Sequence, residues 1–270
     1  LPSRIGEENI QNGDVAVKRS RKENLLDFFL NARRALVREW TEELPISSLR
    51  QIADEEFKLR KHKSHCYLKD FQKSNVCLPL PEFVFDADFR HPLGRIQRGF
   101  FSPEAEEVGA VALFLPPSEG ILTLDHDSAR EWQSFLASMP PKALCLRTGF
   151  LSTEFDVLES IALGFGGVCI HARLLDVYEI QLLTEICRDF KMTMVAVADS
   201  AATLGRILES DCPYVGLWGY DAHSFTPDFG LISKLAPKIP GTCYRVAFLP
   251  SQPEPQWDVL KGMNIASCVW

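Results

Sequence analysis

Asp86, Asp88 and His91 are the side chains best placed by type and spacing to move protons. Carboxylates at i and i+2 of an extended segment point to the same side, and a nearby imidazole titrates close enough to neutrality to act as acid or base. His171 and Asp221 each follow an apolar run and join the set if those runs are strands ending at a common face. The sequence also offers a plainer role, an ion pair between Asp88 and Arg90 or Arg95, and this is the favoured one. His62, His65 and Cys66 have ligand chemistry but lack a second ligand pair, so no metal is expected. Gly164-Phe-Gly-Gly167 precedes a strand-like run rather than a helix, which makes it a turn and not a phosphate cradle; no cofactor is expected.

Basic side chains gather at Arg33, Arg34 and Arg38 and again in Lys58-Leu-Arg60-Lys61-His-Lys63. Residues 1–80 carry a formal charge of +3 and residues 81–270 one of −10, within an overall −7. An acidic body disfavours broad contact with nucleic acid phosphates, leaving only the basic N-terminal extension for such a contact. The favoured reading of the tract is a solvated helix end. The eight cysteines include no Cys-x-x-Cys pair, and four fall inside apolar runs, as expected of reduced core residues in a reducing compartment.

The elements that must position these groups are clearest from Gly164 to Asp221. The run Gly167–His171 is followed by Leu174–Phe190, whose apolar residues recur at three- and four-residue steps, the signature of a helix with one buried face. Met192–Ala198 is apolar on both sides, as in a parallel sheet covered on both faces. Asp199-Ser200 caps a helix from Ala201, and Tyr214–Trp218 is the next buried strand. Strand-to-strand steps of about two dozen residues through a helix require parallel strands with right-handed crossovers.

Further runs at Phe83–Asp88, Ala110–Leu115, Ala143–Leu146, Tyr244–Leu249 and Ile265–Val269 bring the set to eight. The expected fold is an α/β (β/α)8 TIM barrel over residues 81–270, an open doubly wound sheet being the alternative. Residues 1–80 form an arm and helical extension, with helices expected over Glu23–Glu43, Arg33, Arg34 and Arg38 exposed on the first, and over Ser47–Lys61. Six residues separate Pro103 from Ala110, too few for a full outer helix, and none follows Trp270 in this sequence. The outer wall beside the first strand is therefore expected to need covering by the Glu23–Glu43 helix and by a second protein.

The same residues resemble indole-3-glycerol phosphate synthase, the barrel enzyme of tryptophan biosynthesis. Asp86-Ala-Asp88-Phe-Arg-His-Pro92-Leu, continuing to Phe101-Ser-Pro103, is similar to that family's first strand and loop, Glu-x-Lys-x-x-Ser-Pro-Ser. Val215-Gly216-Leu-Trp-Gly-Tyr-Asp221 looks like its sixth strand, Ile-Gly-Ile-Asn-Asn-Arg-Asn. The resemblance implies a barrel with a helical extension in front. It also places the family's functional groups on residues unable to perform them. The first-strand Glu and Lys fall on Asp86 and Asp88, a charge reversal at the second. The lysine acid falls on Leu146, the glutamate base on Val197, the sixth-strand Asn on Trp218, and the seventh-strand Glu-Ser-Gly near Phe248.

From this the sequence yields an expectation of a non-catalytic barrel, a structural or regulatory subunit of a larger protein assembly. Its partner contacts are expected at Phe100, Phe101 and Trp270 and at Arg33, Arg34, Lys58, Arg60 and Lys61. The alternative is a phosphate-sugar lyase or isomerase with relocated catalytic residues. Trp218 is expected to pack inward with Phe248 or Leu146. No apolar run approaches the roughly 18 residues of a membrane span. The chain begins at Leu1 rather than Met, as it would after removal of a segment from an organelle precursor or where a sequence starts part-way along a longer chain. The plant-like character of the barrel suggests a chloroplast setting.

Overall fold

The computed structural model describes residues 24–59, 78–80, 82–84, 110–114, 133, 134, 136, 144–249 and 257–269. Two helices open it. Helix α1 (Leu25–Glu43) starts where the Asn24 side-chain oxygen accepts from the Asp27 N–H at 2.7 Å. It stops at Leu44, the residue before Pro45, where the helical conformation is disfavoured. Helix α2 (Ile46–Leu59) follows immediately.

The rest alternates strands with helices: β1 (Leu78–Leu80), β2 (Glu82–Val84), β3 (Ala110–Phe114), β4 (Leu144–Thr148), α3 (Glu154–Leu163), β5 (Gly167–His171), α4 (Val177–Asp189), β6 (Thr193–Ala198), α5 (Ala201–Glu209), β7 (Tyr214–Trp218), α6 (Phe229–Leu235), β8 (Tyr244–Phe248), α7 (Trp257–Gly262) and β9 (Ser267–Val269). Every neighbouring pair in the sheet is parallel, in the order β1-β9-β8-β7-β6-β5-β4-β3-β2. The two ends of that order, β1 and β2, are one residue apart in the chain.

The sheet starts earlier than the sequence suggests. Leu78–Leu80, expected in a connector, pairs with β9, while Glu82–Val84 pairs with β3. Pro81 separates them, a residue with no N–H to give to a ladder. The other strands lie within two residues of their expected starts.

Side chains alternate between two cores, as the strand period of two requires. On the inner face Leu144, Leu146, Val195, Val197, Val246 and Phe248 form one cluster. On the outer face Ala196, Val215, Leu217 and Ala247 join the buried sides of the helices. Val37, Trp40, Leu49 and Ala53 belong to this outer core, so α1 and α2 extend the same body.

Helix α1 is placed differently from the expectation that it covers the outer wall beside the first strand. Its amino-terminal half lies over the loops that follow β4 and β7, with Leu26, Leu30 and Phe29 against Phe150, Ala222 and Phe225. Its remaining buried side packs beside α3, where Trp40 meets Phe155 with ring centroids 6.0 Å apart. Periodicity identifies a buried face but not the surface that receives it. Among the described residues, no helix is long and apolar enough to cross a membrane.

Candidate functional site

Parallel strands bring their carboxyl ends to one side of a sheet, and here that side holds a cavity of about 220 Å³. Thr148, His171, Trp218, Phe248 and Val269, the last residues of β4, β5, β7, β8 and β9, all line it. Val197, one residue from the end of β6, lines it as well. Among the described lining residues none is an acid, a lysine or an arginine.

Phe150 and Phe225 also line the cavity, and Phe29 of α1 rests against both. Phe29 stacks on Phe150 at 4.7 Å and on Phe225 at 5.6 Å, and the latter two stack on each other at 5.8 Å. The Leu26 N–H donates to the Ala222 carbonyl at 3.0 Å, pinning the helix start to the loop after β7. Arg173 bridges Asp27 of α1 and Asp199 after β6. Its hydrogen bond to Asp27 and the charge of Asp199 raise its pKa, outweighing partial burial. The amino end of α1 is thus tied by an aromatic stack and an ion triad to the loops around the cavity.

His171 is 3% exposed. Its ring lies 4.8 Å from Trp218, edge to face, and 6.0 Å from Phe150. Burial lowers its pKa to about 4, against the opposing pull of Asp199, so the imidazole is neutral near pH 7. Among the described residues neither His171 Nδ1 nor Trp218 Nε1 has a hydrogen-bond partner, although both atoms are buried. The Tyr220 hydroxyl, by contrast, donates to the Leu249 carbonyl at 3.1 Å. Among the described lining residues nothing carries a charge that would neutralise a phosphate or carboxylate.

Of the positions implied by the family resemblance, Leu146 and Val197 lie in the inner apolar cluster with Phe248. Trp218 packs against that cluster, its ring 6.2 Å from that of Phe248. Gly216 makes the arrangement feasible, since a Cβ there would stand 2.8 Å from the Phe248 ring and 3.0 Å from a Val197 methyl. Asp86, Asp88, His91, Phe100, Phe101, Trp270, Arg60 and Lys61 lie outside the described residues.

Asp221 does not reach the cavity. It is partly exposed, in a turn where its carboxylate accepts from the His223 and Ser224 N–H groups and the Ser224 hydroxyl. These bonds, led by the Ser224 hydroxyl, hold its pKa below the usual value.

Arg33, expected on an exposed face and at a partner contact, is instead fully buried. Its guanidinium pairs with Asp156 at 2.8 Å and Glu159 at 3.4 Å and lies 4.6 Å from the centre of the Trp40 ring. The reason is positional: Leu26, Leu30, Arg33, Val37 and Trp40 follow one another at steps of four and three, so Arg33 sits in the buried stripe. Arg34 is half-buried, its guanidinium donating to the Ser152 hydroxyl and the Leu174 carbonyl. Lys58 is exposed near the end of α2.

The sequence reading missed Phe29, Phe150 and Phe225 as a unit. Phe150 and Phe225 belong to loops, and Phe225 has a positive φ of 54°. A bulky residue in that conformation was the one local sign of a special position, and it is not visible before the backbone is known.

No known protein-family profile matches the chain. Indole-3-glycerol phosphate synthase of Campylobacter jejuni subsp. doylei is 27% identical over 97 residues, 36% of this chain and 38% of the relative. The same enzyme from a jejuni subspecies strain is 26% identical over 97 residues, again 36% and 38%. The chain therefore spans about 38% of the length of the curated relatives it matches. Among solved structures, a tryptophan synthase complex from Pyrococcus furiosus superposes with a TM-score of 0.50 at 14% identity, covering 73% of this chain and 87% of that one. Another, of the tryptophan synthase a2b2 complex from the same organism, gives 0.51 at 15%, covering 74% and 88%. These neighbours show the fold, parallel strands in a TIM-barrel-like α/β layout.

Proposed function

We propose that this chain is a non-catalytic relative of indole-3-glycerol phosphate synthase that acts as a subunit of a protein assembly. The adjacency of β1 and β2 in the chain, at opposite ends of the sheet order, supports a closed eight-stranded barrel in which they form one interrupted strand. The observation that carries the reading is the cavity at the strand carboxyl ends: it has no described charged lining, and Leu146 and Val197 stand in the apolar cluster beneath it. Acid–base ring closure on a phosphate-bearing substrate needs two proton-transfer groups and cations, and the substitutions remove the first pair. A role through contact with other proteins is consistent with α4, which presents Tyr178, 80% exposed, and Leu182, 47% exposed, one turn apart. A plastid setting is part of the proposal and rests on the family resemblance alone.

The test combines an assay and a purification. The chain supplied with the carboxyphenylamino-deoxyribulose phosphate substrate is expected to form no indole product between pH 5 and 9. Isolated from its native source, it is expected to co-purify with other chains at fixed stoichiometry. Product formation, or a lone monomer, would overturn the reading. His171, the buried imidazole in the cavity, gives the second reading its one support: an enzyme of different chemistry, whose turnover would vanish in His171→Ala.

A further inference from the structure

We propose that Thr226 is a phosphorylation site for a proline-directed protein kinase, and that a phosphate there unseats the amino-terminal half of α1 from the loops over the cavity. The proposal goes beyond the non-catalytic reading and does not depend on it.

The local chain makes Thr226 an acceptor. Thr226 and Pro227 are both exposed, in the loop between β7 and α6. A proline holds the residue before it in the extended region, the form in which a kinase groove takes its substrate. Pro227 also has no N–H to leave unpaired in the apolar pocket that follows the acceptor hydroxyl in kinases of this class. The sequence holds one other Ser-Pro or Thr-Pro pair, Ser102-Pro103, which lies outside the described residues.

The reaction is phosphoryl transfer from ATP. The Thr226 hydroxyl oxygen bonds to the γ-phosphorus as the bond from that phosphorus to the β,γ-bridging oxygen breaks. ADP departs, and the hydroxyl proton passes to the catalytic aspartate of the kinase.

The effect of the phosphate follows from its surroundings. The Ser224 hydroxyl lies 2.8 Å from that of Thr226 and donates to the Asp221 carboxylate, also at 2.8 Å. The Thr226 carbonyl accepts from the Asp221 N–H at 2.8 Å. Residues 219–229 include Asp221 and Asp228 but no lysine or arginine. A phosphate adds a charge of about −1.5 to −2 beside the Asp221 carboxylate, and like-charge repulsion there opens the turn.

That turn holds the roof of the cavity. Phe225, between Ser224 and Thr226, has a φ of 54° and stacks on Phe29 and Phe150. A bulky residue keeps such a φ only where its surroundings impose it. The Ala222 carbonyl, in the same turn, accepts from the Leu26 N–H at 3.0 Å. Opening the turn therefore frees both the Phe225 ring and the hydrogen bond on which the start of α1 rests.

The test treats the full chain with a mitogen-activated protein kinase and magnesium ATP, maps phosphate by fragmentation mass spectrometry, and compares hydrogen exchange before and after. Phosphate is expected on Thr226. Exchange at the Leu26 amide is expected to quicken at least about tenfold, with amides of β6 changed by less than about twofold. Removal of the phosphate by a phosphatase is expected to restore the protection. In Thr226→Val the same treatment is expected to leave the Leu26 amide unchanged, which separates an effect at Thr226 from one at Ser102.

A folded chain that carries no phosphate on Thr226 would overturn the proposal. So would phosphate on Thr226 with Leu26 protection intact, or equal losses at Leu26 and in β6. None of these results bears on indole formation, which the substrate assay reads separately.

Discussion

Arg33 and Asp156 meet across 123 residues of sequence, Nη2 lying 2.8 Å from Oδ1 with both side chains out of water. Glu159 lies 3.4 Å from the same nitrogen, and Arg147 reaches Glu159 at 2.7 Å. Two cations and two anions thus balance inside the body. Burial pushes the Asp156 carboxyl upward, but Arg33, Arg147 and hydrogen bonds from Ser152 and Thr153 outweigh it and hold the pKa below the usual value. Removing one member of such a group leaves a buried charge uncompensated, so Arg33→Met is expected to lower the unfolding free energy by about 3–5 kcal/mol. Asp156 also caps α3, accepting from the Ser152 and Thr153 N–H groups. The pair Arg33→Met with Asp156→Asn keeps a capping acceptor and is expected to recover at least half the loss, measured by urea unfolding.

Leu30 anchors α1 on the loops around the cavity, buried against Phe150. Leu30→Ala is expected to cost about 2–5 kcal/mol and to free the amino end of the helix first. The readout is hydrogen exchange at the Leu26 amide, bonded to the Ala222 carbonyl. Its protection should fall further than that of amides in β6. Equal losses at both places would mean that α1 and the sheet open together.

Gly216 and Gly219 differ in what an added methyl group would meet. At Gly216 it meets the Phe248 ring at 2.8 Å, whereas at Gly219 it meets the Phe248 carbonyl oxygen at 2.3 Å, a backbone atom. Gly216→Ala is expected to destabilise by about 1–3 kcal/mol, the range of ordinary overpacking, and Gly219→Ala by more. Chemical denaturation of the two variants compares them directly.

His171 makes stability depend on pH in a defined window. Its folded pKa of about 4 is below the ordinary 6.5, so between those values the unfolded chain binds a proton that the native chain does not. Stability therefore falls as pH drops from about 6.5 toward 4, by on the order of 3 kcal/mol, and this contribution levels off below 4. Asp156, whose pKa is depressed, contributes stability that is present above 3.8 and lost as pH falls through its folded value, a separate and more acid window. His171→Phe is expected to flatten the first window and leave the second. Melting curves from pH 7 to 3 resolve the two.

The strands from β4 to β8 were legible because a parallel strand covered on both faces is a continuous apolar run, bounded here by helix caps such as Asp176 and Ser200. β1 was not, since three residues around Pro79 carry no pattern of their own and acquire a role only by pairing with β9. The absence of charge among the described lining residues followed from Val197, Trp218 and Phe248 standing at or next to strand ends. Its roof did not follow. Phe29 reads as one apolar residue among many on α1, and Phe150 and Phe225 as loop residues, until tertiary packing stacks them. Arg33 was misread because charge outweighed position, although the four-and-three spacing of its neighbours already included it.

The distance in sequence between Arg33 and Asp156 sets an order of events during synthesis. Ribosomes add about 5–20 residues each second, so α1 leaves the exit tunnel roughly 6 to 25 seconds before α3 can answer its buried charge. Through that interval Leu26, Leu30, Val37 and Trp40 form an amphipathic stripe with a cation in its middle whose partners Asp156 and Glu159 are not yet made. Helix α1 is therefore made well before the helix that answers its charge, and the nascent chain depends meanwhile on whatever shields that stripe from other nascent chains.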